Sequence, residues 1–173
     1  MRSARHLAAV AASVLLLAFS ACTPVGQAPT GFPDTLRWDL VPKWIQWVDN
    51  KAQITWPPND GCAAAPESKT LAPGDMIDRY GPEGGSFFSP RGEGYRARAV
   101  PYVCAKMDYR VYRVARPLAV KSCNAAAWFD EPGGAVQLQT RDPVYKLKDA
   151  GILEMMVYEP AGAGSPAARC GVP

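Results

Sequence analysis

The sequence predicts an α+β domain built on a small, twisted, mostly antiparallel sheet with two or three short helices. The chain has 15 glycines and 17 prolines among 173 residues, which favours short elements joined by turns over a helical bundle. Its short apolar stretches are rich in Val and Tyr, and turn-forming residues separate them, as is typical of strands. A chain of this length usually makes one domain.

The first 21 residues have the pattern of an export signal. Arg2 and Arg5 precede an apolar run at residues 7–19 that is too short to span a bilayer. The run ends in small residues that lead directly to Cys22. This arrangement is similar to a bacterial lipoprotein signal, in which a lipidated Cys22 would hold the protein at the outer face of the cell membrane. Secretion after Ala21 without a lipid is the alternative.

The next segments are a tether at residues 22–33, a folded domain at 34–158 and a tail at 159–173. Helical spacing of apolar residues predicts a helix over residues 34–48, and the Gly- and Pro-rich residues 56–91 predict ordered loops over a sheet. A second short helix is predicted at residues 144–150, closed by Gly151 as a left-handed cap. Strands are predicted at residues 96–104, 109–115, 118–123, 135–140 and 152–158.

The charge of the body excludes one class of partner. Both arginines of the signal contribute to the net charge of +3, so residues 22–173 carry 17 basic and 16 acidic side chains. A nearly neutral body is unsuited to binding nucleic acid through phosphate neutralisation. No nucleic acid partner is therefore expected.

Four cysteines remain when Cys22 is assigned to lipid, and thiols of exported proteins meet an oxidising compartment. Two disulfides are expected, and three pairings are possible. The favoured pairing joins Cys104 to Cys123 and Cys62 to Cys170, which would tie the tail to the body. No metal site is expected, because no C-x-x-C spacing occurs and the single histidine lies within the signal.

Several short runs, in a fixed order along the chain, resemble a known family. They resemble the tuberculosis necrotizing toxin (TNT) domain, a family of secreted enzymes that hydrolyse NAD, over about residues 56–155. The runs are WPPNDG at 56–61, DRYG at 78–81, GSFFSP at 85–90, RAVP at 98–101, AWF at 127–129, PGG at 132–134 followed by Gln137, and KDAGIL at 148–153.

The resemblance implies a split-sheet fold related to ADP-ribosyltransferases and cleavage of NAD, as substrate, to nicotinamide and ADP-ribose with no cofactor. Some relatives use a histidine, which the chain lacks after its signal. Toxic relatives commonly have an immunity protein, and the sequence gives no indication for or against one here. The residues carried over are Arg79, Arg98 and Gln137 as catalytic residues and Tyr80 and Phe87 as an aromatic wall for the substrate.

The residue types suit this chemistry. The nicotinamide ring leaves as a neutral molecule, so no proton donor is needed, and the planar fork of arginine binds a diphosphate. In the strand predicted at 135–140, Gln137 and its alternative Gln139 face one side, and a glutamine amide both donates to ribose hydroxyls and accepts from water. Gly133 and Gly134 would allow close approach of a ligand to the backbone.

Each of these residues also has a structural interpretation. The arginines could form surface ion pairs, Gln137 could lie on a solvated sheet face, and the aromatic residues, Trp128 among them, could be core. Asp78 and Glu83 could face the positive nicotinamide ring. The sequence therefore predicts an exported NAD glycohydrolase, with a non-catalytic lipoprotein module and ADP-ribosyl transfer to an acceptor as the alternatives.

Overall fold

The computed structural model describes residues 27–163 and 170–171, so the predicted signal and Cys22 lie outside the described residues. Seven antiparallel strands form one sheet in the order β3-β7-β8-β5-β4-β6-β9, and β1 and β2 form a separate hairpin. The strands are β1 (Ile45–Val48), β2 (Lys51–Ile54), β3 (Glu67–Leu71), β4 (Met76–Tyr80), β5 (Phe87–Pro90), β6 (Tyr109–Val114), β7 (Leu118–Asn124), β8 (Val136–Gln139) and β9 (Leu153–Glu159).

The second half of the chain follows the prediction. The strands predicted at 109–115, 118–123, 135–140 and 152–158 correspond to β6, β7, β8 and β9. The helix predicted at 144–150 is α1 (Val144–Asp149), and Gly151 closes it with a φ of 62°. In β8 Leu138 is buried and its neighbours are less so, which agrees with the alternation in its sequence.

The helix predicted at residues 34–48 is wrong. This segment forms only a 3-10 turn at Trp38–Leu40 and then β1, which pairs with β2. Asp49 and Asn50 between the two strands have φ values of 50° and 57°, a conformation that Asp and Asn tolerate better than most residues. The apolar spacing that suggests a helix arises because this region packs as an irregular second core around Phe129.

The strand predicted at residues 96–104 is also wrong. The segment forms 3-10 turns at Arg96–Arg98 and Cys104–Lys106, separated by Ala99 with a φ of 48°. Pro101 has no N–H to donate to a neighbouring strand, which disfavours a central strand here. Between residues 27 and 163, α1 is the single α-helix, and the other helical segments are four 3-10 turns.

Residues 56–91 contain more sheet than predicted. Three of the seven strands, β3, β4 and β5, lie in this Gly- and Pro-rich region that the sequence suggests is loops. Each has four or five residues, and the turns between them dominate the local composition. The ordered loops that the sequence predicts here are present, but they connect strands of the main sheet.

The sheet divides between β4 and β5. These strands pair only at Ile77–Pro90 and Asp78–Ser89. Beyond that point β4 continues along β6, whereas Phe87 and Phe88 of β5 pair with β8. The last two residues of β4 are thus separated from the first two of β5, and this opening forms the site described below.

The main core lies on one face of the sheet. Helix α1 covers this face through Val144 and Leu147, which pack with buried side chains of the strands such as Tyr112 and Leu138. Helix α1 also contacts β9. No helix in the described parts of the chain has the length and apolarity needed to cross a bilayer.

The two disulfides form, but the expected pairing is wrong. Cys62 is bonded to Cys123, and Cys104 is bonded to Cys170. Cys62 lies beside the end of β7 because it bridges to Ala125, which brings it next to Cys123. The cysteine of the tail, Cys170, is bonded to Cys104 and not to Cys62. Two disulfides indicate folding in an oxidising compartment.

Candidate active site

A cavity of about 470 Å³ opens where β4 and β5 separate, within the range of small-molecule sites. Arg79, Arg98 and Gln137 all line it. The structure therefore brings together three residues that lie up to 58 positions apart in the sequence. Its aromatic lining residues are Trp56, Tyr80, Phe87, Phe88, Tyr95, Tyr102 and Phe129.

Arg79 is a buried cation without a carboxylate partner among the described residues. Its side chain reaches through the opening between β4 and β5, where Nη1 donates to the carbonyl of Phe87 at 3.3 Å and the guanidinium lies over the Phe88 ring. Burial lowers the pKa of Arg79 to about 10, because desolvation disfavours the charged form. The group still carries its charge at neutral pH.

Gly85 makes room for this guanidinium. A Cβ atom at residue 85 would lie 2.8 Å from Cζ of Arg79, closer than side-chain carbons approach one another. At Gly84, by contrast, a Cβ would meet nothing within 4 Å. The GSFFSP run thus contributes a position at which a side chain would displace Arg79.

Arg98, in contrast to Arg79, is neutralised within the wall. Its Nη2 donates to Oδ1 of Asp78 at 2.5 Å and to the carbonyl of Glu93 at 3.0 Å. The guanidinium also lies 5.0 Å from the centre of the Tyr80 ring, within the distance of a cation–π contact. Arg98 therefore fixes the position of Tyr80 at the cavity wall. Arg98 lies in a 3-10 turn and not in the strand predicted at residues 96–104.

Asp78 is buried beneath this wall and is fully engaged. Besides Arg98, it accepts hydrogen bonds from the hydroxyl of Tyr109 at 2.8 Å and the backbone N–H of Gly92 at 3.2 Å. Burial and then the hydrogen bond to Asp78 raise the pKa of Tyr109, so its hydroxyl remains a donor. Glu83 accepts from Lys148 and Tyr112. Neither acid lines the cavity as the expected partner of a positive ring.

Gln137 lies on the cavity side of β8, as the predicted alternation requires. Val136 and Leu138 pack into the main core, whereas Gln137 lines the cavity. Its Nε2 donates to the carbonyl oxygen of Asp60 at 2.9 Å and lies near the sulfurs of the Cys62–Cys123 disulfide. Gln139 lines a separate shallow hollow beside Lys121.

The aromatic predictions have mixed outcomes. Tyr80 and Phe87 line the cavity, and Phe87 is 42% exposed at its edge. Trp128 instead packs on Trp44 and donates to the carbonyl of Thr55. Trp56, which is not among the residues predicted for the site, also lines the cavity and is 54% exposed. The WPPNDG run, whose turn residues precede Cys62, was the signal for it.

The two glycines before β8 are not among the residues that line the cavity, although the sequence suggests that a ligand approaches them. Gly133 has a φ of 69°, and a Cβ there would lie 2.6 Å from backbone atoms of residues 125–127. The close approach that requires glycine is therefore between two segments of this chain. Gly134, with a φ of 94°, would meet nothing within 4 Å.

These features agree with comparisons against known proteins. The family model described as Tuberculosis necrotizing toxin matches residues 70–156, which include Arg79, Arg98 and Gln137. The chain therefore belongs to the TNT family. It is also similar to the conidial surface nicotinamide adenine dinucleotide glycohydrolase nadA of Aspergillus fumigatus, with 30% identity over 131 residues. That match covers 68% of this chain and 56% of the relative.

Two solved structures are also similar. One is tuberculosis necrotizing toxin complexed with its immunity factor IFT, at 18% identity and a TM-score of 0.47, covering 61% of this chain and 63% of that chain. The other is Rhs1-CT in complex with its cognate immunity protein RhsI1, at 18% identity and a TM-score of 0.45, covering 62% of this chain and 89% of that chain.

The buried Asp78–Arg98 pair should contribute strongly to stability. Asp78→Asn removes the charge that compensates a buried guanidinium, which typically costs about 3–5 kcal/mol in unfolding free energy. Glu154→Gln, in the exposed pair with Arg113, is the matched control and should cost less than about 1 kcal/mol. Urea unfolding measures both variants. Equal losses would contradict the assigned role of Asp78.

Proposed function

We propose that this chain hydrolyses the bond between nicotinamide and ribose in NAD, releasing nicotinamide and ADP-ribose. The observation that carries the proposal is the shared cavity, in which a buried cation, Arg79, and the amide of Gln137 face one largely aromatic hollow in a TNT family member. The name of the A. fumigatus relative supports the reaction class. The chain spans about half the length of that relative.

The reaction suits a site without a proton donor. The bond between ribose C1′ and the ring nitrogen breaks, and the electron pair returns to a nitrogen that was positively charged, so nicotinamide leaves neutral. Water adds its oxygen to C1′ and releases one proton to the solvent. The transition state has oxocarbenium character, as in glycoside cleavage, and is stabilised by orientation and nearby polar groups.

Arg79 is the group proposed to bind the diphosphate. No carboxylate among the described residues pairs with it, and charge-assisted hydrogen bonds from arginine to phosphate are strong. The Nε atoms of both Arg79 and Arg98 are buried and make no hydrogen bond within the described residues. A buried N–H donor without a partner lowers the stability of the fold. This cost supports a role for the two arginines in binding. Arg98 contributes by positioning Tyr80.

Gln137 is proposed to act on the ribose and the attacking water. Because Nε2 is held by the carbonyl of Asp60, the carbonyl oxygen Oε1 is the amide atom available to a ligand. An amide oxygen accepts a hydrogen bond from a ribose hydroxyl or from water. Phe87 and Trp56, both partly exposed at the cavity, are the side chains proposed to stack on the cationic ring.

Gln137→Ala should lower the rate of nicotinamide release by at least about tenfold, which corresponds to about 1.4 kcal/mol of transition-state stabilisation. Gln139→Ala is the matched control, because Gln139 lies on the same strand outside the cavity, and its rate should stay within about twofold. Incubation of the purified chain with NAD, followed by chromatography of the products, measures both.

The same assay separates the alternative functions. Free ADP-ribose in equal amount with nicotinamide supports hydrolysis, whereas labelled protein in place of ADP-ribose indicates transfer to an acceptor. No nicotinamide release at high protein concentration, with both disulfides intact, would overturn the proposed activity and favour a binding module.

Gly85→Ala should weaken substrate binding through Arg79. The added methyl group must displace the guanidinium, so KM for NAD should rise by about tenfold, as expected when a charge-assisted hydrogen bond of about 1.5–3 kcal/mol is weakened. Gly84→Ala adds the same methyl group to open space and should leave KM unchanged. A rise in both variants would show that loop flexibility, and not Arg79, controls binding.

We also propose that Cys22 carries a lipid that holds the domain outside the cell. The support is the export pattern of residues 1–21 and the two disulfides of the domain. In a bacterial host, the chain should incorporate labelled palmitate and partition with membranes, and Cys22→Ala should abolish both. The Cys104→Ser/Cys170→Ser variant keeps Cys22 and should remain labelled. Unlabelled, soluble protein from the intact chain would contradict lipidation.

A further inference from the structure

The amide of Gln137 is held by a segment outside the residues matched by the family model. Nε2 of Gln137 is 2.9 Å from the carbonyl oxygen of Asp60, 3.7 Å from Sγ of Cys62 and 3.8 Å from Sγ of Cys123. The family match begins at residue 70. Two of these three contacts therefore belong to the loop before β3, which precedes the matched region.

These contacts determine which amide atom a ligand meets. A backbone carbonyl only accepts hydrogen bonds, so the nitrogen of Gln137, and not its oxygen, must face Asp60. Sulfur is a weak acceptor, so the disulfide also suits the N–H side of the amide. Without these contacts the amide could rotate by half a turn and present its N–H donors to a ligand in place of its acceptor oxygen.

The loop that holds the amide is a turn of three left-handed residues, Asn59, Asp60 and Gly61, with φ values of 54°, 53° and 87°. Asn, Asp and Gly adopt this conformation more readily than most residues, so the residue types suit the turn. The turn by itself does not set its position relative to β8, which depends on what joins it to the rest of the chain.

The Cys62–Cys123 disulfide holds this loop next to β7. It joins the residue that follows the loop to β7, at the residue directly opposite Gln137 in the β7–β8 pairing. The carbonyl of Gly61 also accepts from the N–H of Ala126 at 2.8 Å. One covalent bond thus fixes the loop, the strand beside Gln137 and the amide itself in a single arrangement.

We propose that the Cys62–Cys123 disulfide and the Asp60–Gly61 backbone are positioning elements for Gln137, and that reduction of this disulfide lowers turnover. This inference rests on the proposed NAD hydrolysis. A dithiol reductant gives two electrons and two protons to the disulfide, leaving two cysteine thiols and an oxidised reductant. The reduced loop relaxes, and Gln137 loses its fixed orientation.

The second disulfide provides a matched control. Cys104–Cys170 joins the turn after residue 103 to the tail, whereas the sulfurs that contact the Gln137 amide are those of Cys62 and Cys123. The two bonds close loops of similar length, with sequence separations of 61 and 66 residues. Loop-closure entropy is therefore nearly equal for the two bonds, and a difference in activity reports on the position of the bond.

The experiment compares two variants of the full chain with and without dithiothreitol. In Cys104→Ser/Cys170→Ser, which retains only the site disulfide, reduction should lower kcat by at least about tenfold with less than about threefold change in KM, and reoxidation should restore it. Cys62→Ser/Cys123→Ser should be slow under both conditions. Unchanged kcat after complete reduction, verified by thiol titration, would overturn the proposal.

A second pair of variants leaves both disulfides intact. Gly61→Ala places a Cβ 3.3 Å from Oε1 of Gln137 at a φ of 87°, whereas Gly74→Ala has a φ of 98° and nothing within 4 Å. Both carry similar backbone strain, but only Gly61→Ala should lower kcat. Equal effects of the two substitutions would show that strain alone, and not contact with Gln137, is responsible.

A measurement without substrate separates this inference from the proposed activity. In nitrogen-15 NMR spectra the side-chain amide of Gln137, assigned by its loss in Gln137→Ala, should be protected from exchange in the oxidised chain and unprotected after reduction. If the intact chain does not cleave NAD, the proposed function fails, and this result still decides the positioning role. An unprotected amide in the oxidised chain would overturn that role.

Discussion

The early end of pairing between β4 and β5 is the constraint on which the rest of the site depends. Two residue pairs hold the strands together, and past Asp78–Ser89 each follows a different neighbour. The opening leaves a cavity lined by Arg79 and by aromatic rings.

The two arginines at this opening have different electrostatic roles. Arg98 is paired with buried Asp78, so it adds little net charge to the cavity and instead fixes Tyr80. Arg79 has no such partner among the described residues and keeps its charge despite burial. To bind a diphosphate, a site needs a cation that no carboxylate neutralises and surroundings that exclude water. It also needs a wall that keeps the cavity open.

The elements predicted correctly from the sequence are those in which a single strand or helix packs one face against the main core. The alternation in β8 places Gln137 opposite the core side, and the pattern of α1 with its Gly151 cap appears in the structure. It failed at residues 34–48, where apolar residues serve an irregular aromatic cluster and their spacing imitates a helix. It also failed at 96–104, where a high content of Val and Ala conceals two turns.

By itself the sequence determined the antiparallel character of the second half and the number of disulfides. Through family resemblance it also singled out Arg79, Arg98 and Gln137 as candidate site residues. These depend on local periodicity, composition and short motifs. Only the tertiary structure decided which cysteines pair, that Trp56 joins the cavity and that Asp60 holds the amide of Gln137. The physical reason is that such contacts join segments up to 77 positions apart, whose meeting is set by the sheet order and not by local preference.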